Sequence, residues 1–453
     1  MPLTALPKKI IRHLKLLRDD PERFAANLLQ FTNPQRFQEK LLDIWVAAPL
    51  NVRFDPALAA RPTLNVLQPV LSPESMTGGP NTIVNFAFRV AQHGLPVRVV
   101  TTRPGVRTDP EWFWQHISQL VGGQPRPPGF EAVSAADPAQ PLPIGRNDIF
   151  MATHWTTAQQ VKYQLAGMNI KKFIYLIQDF EPGFHQWSNN YALASETYEL
   201  DFVPVFNEHF LRDYFAQVAI GRFADPAFVQ SSLVFEPAVD RAVFFPPAQA
   251  RTGRRRLLFY ARPTNHRNLF GLGMRALQSI VTHPAFADGD WEFLAIGSRG
   301  SLPDLDLGHG RMMRCAPWSD YKGYADLLRS ADILLCLMMS PHTSYPVLEM
   351  AACGGLVVTN SFACKTAERL QQISPNIIAA HLTIEGIEAA LVDAATRVAD
   401  ASYDRAAPLA LPGTWEESMG GVAAAVAQVV SKWGREVLAS ASAGQPGSTE
   451  AVR

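Results

Sequence analysis

The sequence predicts an α/β chain of two Rossmann-like domains in succession, facing a central cleft, with a helical N-terminal extension and C-terminal helices. Three observations carry this expectation. From Thr63 onward, short β-rich runs alternate with helix-length amphipathic stretches, which is how successive strand-helix-strand units on a parallel sheet read in one dimension. The alternation breaks at 245–256, where Pro246-Pro247 are followed by a glycine and a cluster of basic residues, and it restarts at Leu257. The length of 453 residues fits two or three domains at about 150 residues each.

The extension is expected over residues 1–60. Within it, 8–31 shows helical periodicity with a basic edge at Lys8, Lys9, Arg12, Lys15 and Arg18. The expected arrangement is a helix packed on the first domain with its charges in water; peripheral contact with an anionic membrane is the alternative. The first Rossmann-like domain, 61–247, reads as strand 63–70, helix 81–93, strand 97–102 and helix 110–121, then strands 148–153, 172–178, 202–206 and 233–236. The Pro-rich stretch 124–143 reads as loop. The second, 248–412, reads as strand 257–261, helix 268–281, strand 291–296, helix 321–330, strand 333–337, helix 347–353, strand 356–359 and helix 384–398. A helical segment at 413–440 follows, with one or two long helices over 415–438, and then a disordered tail, 441–453, rich in Ser, Gly and Ala.

Composition narrows the function classes. Forty-one basic against 41 acidic residues give a formal net charge of zero, which argues against broad electrostatic binding to nucleic acid or lipid. At 47% hydrophobic and 18% charged, the chain has ample apolar surface for real cores. The longest uninterrupted apolar run, from Ile333 to Met339, falls far short of the roughly 18 residues of a spanning helix. Cys315, Cys336, Cys353 and Cys364 include no close Cys-x-x-Cys pair, so neither a disulfide framework nor a zinc knuckle is expected. Residues 1–18 lack a signal-peptide core, and a reducing cytoplasm is the expected compartment.

Ligands of open parallel sheets bind beyond the carboxyl ends of the strands, so the residues following each strand are the candidates. After the first comes Ser72-Pro-Glu-Ser-Met-Thr-Gly-Gly-Pro80. There Gly78 and Gly79 either let a ligand approach a helix start or form an ordinary tight turn. No Gly-x-Gly-x-x-Gly fingerprint occurs, which lowers the case for a nicotinamide enzyme. After the strand ending at Ala261, the loop Arg262-Pro-Thr-Asn-His-Arg-Asn268 places Arg262 and Arg267 together, two guanidiniums suited to the negative charge of a departing diphosphate.

The segment from Leu337 to Met350 lies between a buried strand and a helix. Ser344 or Tyr345 is placed to cap that helix, Pro346 falls in its first turn, and Glu349 is placed to reach back to a ribose hydroxyl pair or to act as a capping glutamate. In the first half, His154 follows one strand, and Gln178-Asp-Phe-Glu-Pro182 follows the next. His154 would orient or deprotonate an acceptor hydroxyl, while Asp179 or Glu181 would bind sugar hydroxyls or assist proton transfer. The structural alternative for His154 is a packed, hydrogen-bonded residue. Asn207 is a further candidate or a turn residue.

Taken in order, these segments resemble a glycosyltransferase of the GT-B fold, close to glycosyltransferase family 4 and its rhamnosyltransferase-like branch. The marks are Thr77-Gly78-Gly79, Gln178-Asp-Phe-Glu-Pro182, Tyr198, Arg267-Asn-Leu-Phe270 and Ser340-Pro-His-Thr-Ser-Tyr-Pro-Val-Leu-Glu349 with Thr359-Asn360. The resemblance implies a nucleotide-sugar donor held mainly by the C-terminal domain and an acceptor held mainly by the N-terminal one. It further implies retention at the anomeric carbon, with neither cofactor nor metal required. Glu349 falls at the family's ribose-binding glutamate, whereas Pro341 stands where many members carry another glutamate. Arg262 matches the Arg of the family's diphosphate pair, and Arg267 substitutes for its Lys.

The expected function is therefore transfer of a sugar, rhamnose from dTDP-rhamnose in the first instance, to a hydroxyl of a surface polysaccharide or glycan precursor. Arg262, Arg267, Ser344, Tyr345, Glu349, Gly78 and Gly79 would hold the donor, and His154, Asp179 and Glu181 the acceptor. Two rivals differ in testable ways. A nucleotide-sugar epimerase would convert the donor with no acceptor present; a non-catalytic glycan-binding or scaffold protein would bind no nucleotide.

Overall fold

The computed structural model describes residues 17–21, 24, 47–73, 75, 76, 78–103, 109–137, 139–248, 253–287, 290–298, 303–400, 403, 405, 406 and 408–443. They fall in two compact units, Met1–Val46 and Ala47–Arg453. In the first, residues 17–19, 21 and 24 are helical, and exposed Arg18 pairs with Asp19 at 2.6 Å. The rest of the basic edge expected at 8–31 lies outside the described residues.

The second unit holds two seven-stranded sheets. Its first half runs β1 (Val52–Phe54), β2 (Leu64–Gln68), α1 (Gly78–Ala91), β3 (Val97–Thr101), α2 (Pro110–Leu120), β4 (Phe130–Ser134), β5 (Leu142–Ile144), β6 (Ile149–Ala152), α3 (Trp155–Leu165) and β7 (Phe173–Ile177). It continues through α4 (Asn189–Glu196), β8 (Phe202–Asn207), α5 (His209–Val218), α6 (Pro226–Gln230) and β9 (Leu233–Phe235). The first sheet has the order β4-β3-β2-β6-β7-β8-β9, with every pairing parallel, and β1 pairs with β5 apart from it. All residues of β2, β3, β6 and β7 are buried, because cores lie on both faces of a parallel sheet. That two-sided burial makes β6 and β7 legible as unbroken apolar runs, whereas β2 and β3 also bury Asn65, Gln68, Arg98 and Thr101.

The second half runs β10 (Arg255–Tyr260), α7 (Phe270–Ile280), α8 (Pro284–Ala287), β11 (Trp291–Ile296), β12 (Leu305–Gly308), β13 (Arg311–Cys315), α9 (Tyr321–Arg329) and β14 (Ile333–Leu335). After these come α10 (Tyr345–Ala352), β15 (Leu356–Asn360), α11 (Ala367–Ile373), β16 (Ile377–Ala380), α12 (Ile384–Ala399) and α13 (Trp415–Ala443). The second sheet is ordered β12-β13-β11-β10-β14-β15-β16, parallel apart from the antiparallel β12 edge. In each sheet the chain reverses its direction of winding beside the first long strand, between β2 and β6 in one and between β10 and β14 in the other. Such switch points open crevices at the strands' carboxyl ends.

Several expected boundaries shift. The stretch 124–143 is not simply loop: β4 pairs with β3 from Val97↔Phe130 to Thr101↔Ser134, and β5 pairs with β1. The prolines that suggested a loop flank β4 without interrupting it, and a sheet-edge strand tolerates such neighbours. Strands β12, β13 and β16 and helix α11 were not anticipated either. Beyond Asp400, α13 is one helix that packs its buried face, Met419, Ala423, Val426, Ala427 and Val430, into the core formed by α1, β2 and β3. It reaches Ala443, past the start of the expected tail; residues 444–453 lie outside the described residues.

Candidate active site

The segments flagged in the sequence converge where the carboxyl ends of the two sheets meet. In the second sheet, β10 ends against the loop carrying Arg262 and Arg267, and β14 ends against the loop leading into α10, so both flank the β10/β14 switch point. Hydrogen bonds fix the 337–344 loop from both sides. Asn360 accepts from Met338 N–H at 2.7 Å and donates back to Met338 O at 3.1 Å, Asn268 Nδ2 donates to Leu337 O at 3.3 Å, and Met339 N–H donates to Arg267 O at 2.7 Å.

At the start of α10, Ser344 occupies the N-cap position at φ 76° but supplies no capping side-chain bond. This corrects the expectation that its hydroxyl caps the helix. A left-handed serine is costly and persists only where neighbours hold it. Here the Ser344 N–H donates to His342 Nδ1 at 2.9 Å, and Thr343 donates to the buried Glu208 through N–H at 2.7 Å and Oγ1 at 2.6 Å. Free of side-chain caps, the start of α10 presents the positive end of a helix dipole with the Tyr345 N–H at its tip; Pro346 carries no N–H, and Val347 N–H donates to Ser344 O at 3.1 Å.

The neighbouring loop after β10 carries two cations, in different states. Arg262 forms no ion pair among the described residues; its guanidinium lies over the Tyr260 ring, 5.9 Å from the centroid. Arg267 is engaged across the cleft with Asp179, whose Oδ1 also accepts from Ser340 Oγ at 2.7 Å. Glu349 Oε2 accepts from Tyr324 Oη at 3.1 Å, and burial pushes its carboxyl up to about 7.

The first sheet supplies the facing wall. Gly78 and Gly79 do sit at the start of α1, yet the groups nearest them come from the protein itself. A Cβ at Gly78 would lie 3.3 Å from the Tyr345 ring, and one at Gly79 3.3 Å from Gln178 Oε1. Tyr345 Oη bonds across the cleft to Thr82 Oγ1 at 3.1 Å and accepts from Asn207 Nδ2 at 3.4 Å. His154 is the N-cap of α3: its Nδ1 accepts from Thr156 N–H at 3.3 Å, leaving Nε2 facing Glu181 Oε1 at 3.7 Å. Burial, with His185 nearby, lowers His154 to about 4, so the ring is neutral near pH 7. Glu181 is buried, accepts from Trp155 N–H, and is held well above the usual carboxylate range by desolvation. Three expected acceptor residues, His154, Asp179 and Glu181, thus share one rim, with Glu181 tied to the helix that His154 caps.

Two site residues escaped the sequence reading. Glu208, at φ 83°, is raised to about 8 by burial, and Lys365, fully buried, is lowered to about 8. Lys365 Nζ donates to Met338 O at 3.4 Å and His342 O at 3.3 Å, so it braces the loop that enters α10. The available signal was position: each directly follows, or lies a few residues beyond, a strand end already flagged, Asn207 and Asn360 respectively.

Family models match both halves: the WsaF N-terminal domain over residues 63–209 and the WsaF C-terminal domain over 255–392. The chain belongs to the WsaF family. WsaF proteins form a glycosyltransferase family of the GT-B fold, as the resemblance implied. Among curated proteins, the O-antigen biosynthesis protein RfbC of Myxococcus xanthus is 35% identical over 254 residues, covering 54% of this chain and 18% of RfbC. The chain therefore spans less than a fifth of that relative's length. Solved structures with similar folds include sucrose-phosphate synthase from Thermosynechococcus elongatus, at TM-score 0.49 and 13% identity, covering 84% of this chain and 98% of that one. Anabaena HepE in complex with UDP-glucose gives 0.49 and 11%, covering 84% and 99%, and WaaG, involved in lipopolysaccharide biosynthesis, gives 0.46 and 13%, covering 74% and 90%. The two-sheet architecture of this WsaF-family chain rests on its own strand order. Among the described residues, no helix is long and apolar enough to cross a membrane.

Proposed function

We propose that this WsaF-family chain transfers a sugar from a nucleotide-sugar donor, dTDP-rhamnose in the first instance, to a hydroxyl of a polysaccharide or O-antigen precursor, with retention. One observation carries the reading: Arg262, whose guanidinium forms no ion pair among the described residues, and the uncapped start of α10 share the β10/β14 switch point with Glu349 on the same helix. A diphosphate there meets a cation and aligned N–H dipoles, and Glu349 meets the ribose of the same nucleotide. RfbC, named for O-antigen biosynthesis, supports the choice of acceptor class.

The chemistry follows from the charges. Breaking the anomeric C–O bond sends its electron pair to the diphosphate oxygen, where Arg262 and the positive end of the α10 dipole stabilise it. Arg267 joins them by exchanging Asp179 for phosphate. The acceptor hydroxyl attacks the face the diphosphate is leaving, and its proton passes to the departing phosphate oxygen, so no protein carboxylate need act as nucleophile. Asp179, once released from Arg267, is free to bind acceptor hydroxyls beside Glu181 and His154.

A thermal-shift screen against dTDP-, UDP- and GDP-sugars tests the donor class, because a ligand that binds only the folded state raises its stability with the logarithm of saturation. A dTDP-sugar should give the largest shift, and no shift with any nucleotide would refute the reading. Incubation with donor alone, followed by NMR, separates transfer from epimerisation: an epimerase would change the sugar's configuration without acceptor.

A further inference from the structure

Between Glu181 and Glu196 the chain carries no Lys, Arg, Asp or Glu, and its centre reads Gly183-Phe-His-Gln-Trp-Ser-Asn-Asn-Tyr191. Three aromatic rings alternate there with amides, a hydroxyl and an imidazole. The structure displays this segment openly. Trp187 is 94% exposed and stacks on Tyr191 with centroids 5.4 Å apart and planes inclined by 17°. The pair is held by the start of α4, where Ser188 Oγ accepts from Tyr191 N–H at 3.4 Å. A bare indole costs solvation unless something covers it, and contact surfaces favour aromatic rings because two torsions immobilise a large area.

Position ties this platform to the cleft. Phe184 ends the short helix that begins at Glu181, and the Arg267 guanidinium lies over its ring, 4.7 Å from the centroid. Only two residues, His185 and Gln186, separate Phe184 from Trp187, at most about 11 Å of extended chain. His185 Nε2 and Asn190 Oδ1, on either side of Trp187, are buried atoms without a hydrogen-bond partner among the described residues. An uncharged surface of stacked rings bordered by amides is poorly matched to phosphate, lipid headgroups or charged peptides, all of which need opposite charge. It matches a neutral polyhydroxylated ring, which offers C–H faces to aromatics and hydroxyls to Gln and Asn.

We propose that Trp187 and Tyr191, with Gln186 and Asn190 beside them, form a subsite for a neutral sugar unit of the acceptor glycan, outward from the bond-forming end of the cleft. The proposal deepens the transferase reading and rests on it for the identity of the ligand as an acceptor. Trp187 is a binding residue remote from the reacting atoms, so it sets acceptor affinity and leaves donor binding alone.

The test uses the full chain, with short neutral rhamno- and manno-oligosaccharides as probes in saturation-transfer NMR. The parent should transfer saturation to the sugar C–H protons. Trp187→Ala should reduce that signal by on the order of tenfold, and Trp187→Tyr by less. The thermal shift with dTDP-rhamnose should be the same in all three proteins. Equal signals from parent and Trp187→Ala, or none from the parent, would overturn the subsite, as would a dimer that Trp187→Ala dissociates, since that assigns the rings to a second copy. Loss of nucleotide response in the parent would defeat the transferase reading separately; a Trp187-dependent glycan signal would still establish the platform.

Discussion

Arg267 and Asp179 form an ion pair across the cleft, joining the loop after β10 to the loop after β7, and Ser340 Oγ holds the second carboxylate oxygen of Asp179 at 2.7 Å. An arginine held by a carboxylate is not free for a diphosphate, so Asp179 competes with the donor for it. Asp179→Asn keeps a hydrogen-bond acceptor for Ser340 and removes the competing charge. Calorimetry should show nucleotide binding about two- to fivefold tighter in that variant. Weaker binding would mean that the pair organises the donor site.

Among the described residues Arg262 has no such partner, and its loss should be felt by ligand and hardly by fold. Arg262→Ala is expected to weaken dTDP binding by about ten- to a hundredfold, as expected for a charge-assisted bond to phosphate, with little change in melting temperature. Arg262→Lys should recover part of the affinity, because a point charge cannot reproduce the bidentate fork.

Glu349 links stability to pH. Its folded value near 7 lies above the ordinary carboxylate value of 4.5, so over that window the folded protein binds the proton that the unfolded chain has released. Stability contributed through this group must therefore fall as pH rises from 4.5 to 7 and stay level above. Glu349→Gln removes the dependence. Denaturant titrations of parent and variant should diverge through that window in favour of Gln, by at most roughly 3 kcal/mol. At pH 8 the same variant should bind nucleotide more weakly if the carboxylate takes the ribose-binding role proposed for it.

Tyr345 is the clasp between the two sheets. Tyr345→Phe leaves Thr82 Oγ1 its bond to Gly78 O but strips Asn207 Nδ2 of its partner, in a residue whose Oδ1 is already unpaired. Urea unfolding should show a loss of about 1–2 kcal/mol. An unchanged midpoint would mean that water replaces the hydroxyl at no cost.

Buried parallel strands and the loops after them were legible because two-sided burial writes itself as apolar runs bounded by punctuation, as in β6 and β7. Less legible were elements whose burial is one-sided or whose ends are crowded with proline, such as β4, β12 and β13. Arg262, Glu349 and Asp179 were legible as residues following strands, but their partners were not. That Arg267 would be engaged by Asp179, that Tyr345 would face Gly78, and that α13 would pack against α1 are long-range pairings, and the sequence periodicity of one element says nothing about which distant element meets it. Glu208 and Lys365 stayed hidden for a related reason: a charged residue reads as surface until the fold buries it.

A crystal structure with bound dTDP decides the donor site. The diphosphate should lie within hydrogen-bond distance of Arg262 and of the Tyr345 N–H at the start of α10, with the ribose hydroxyls on Glu349 and Arg267 turned from Asp179 toward phosphate. A nucleotide bound elsewhere, or Arg262 pointing into solvent with the diphosphate in place, would contradict this assignment.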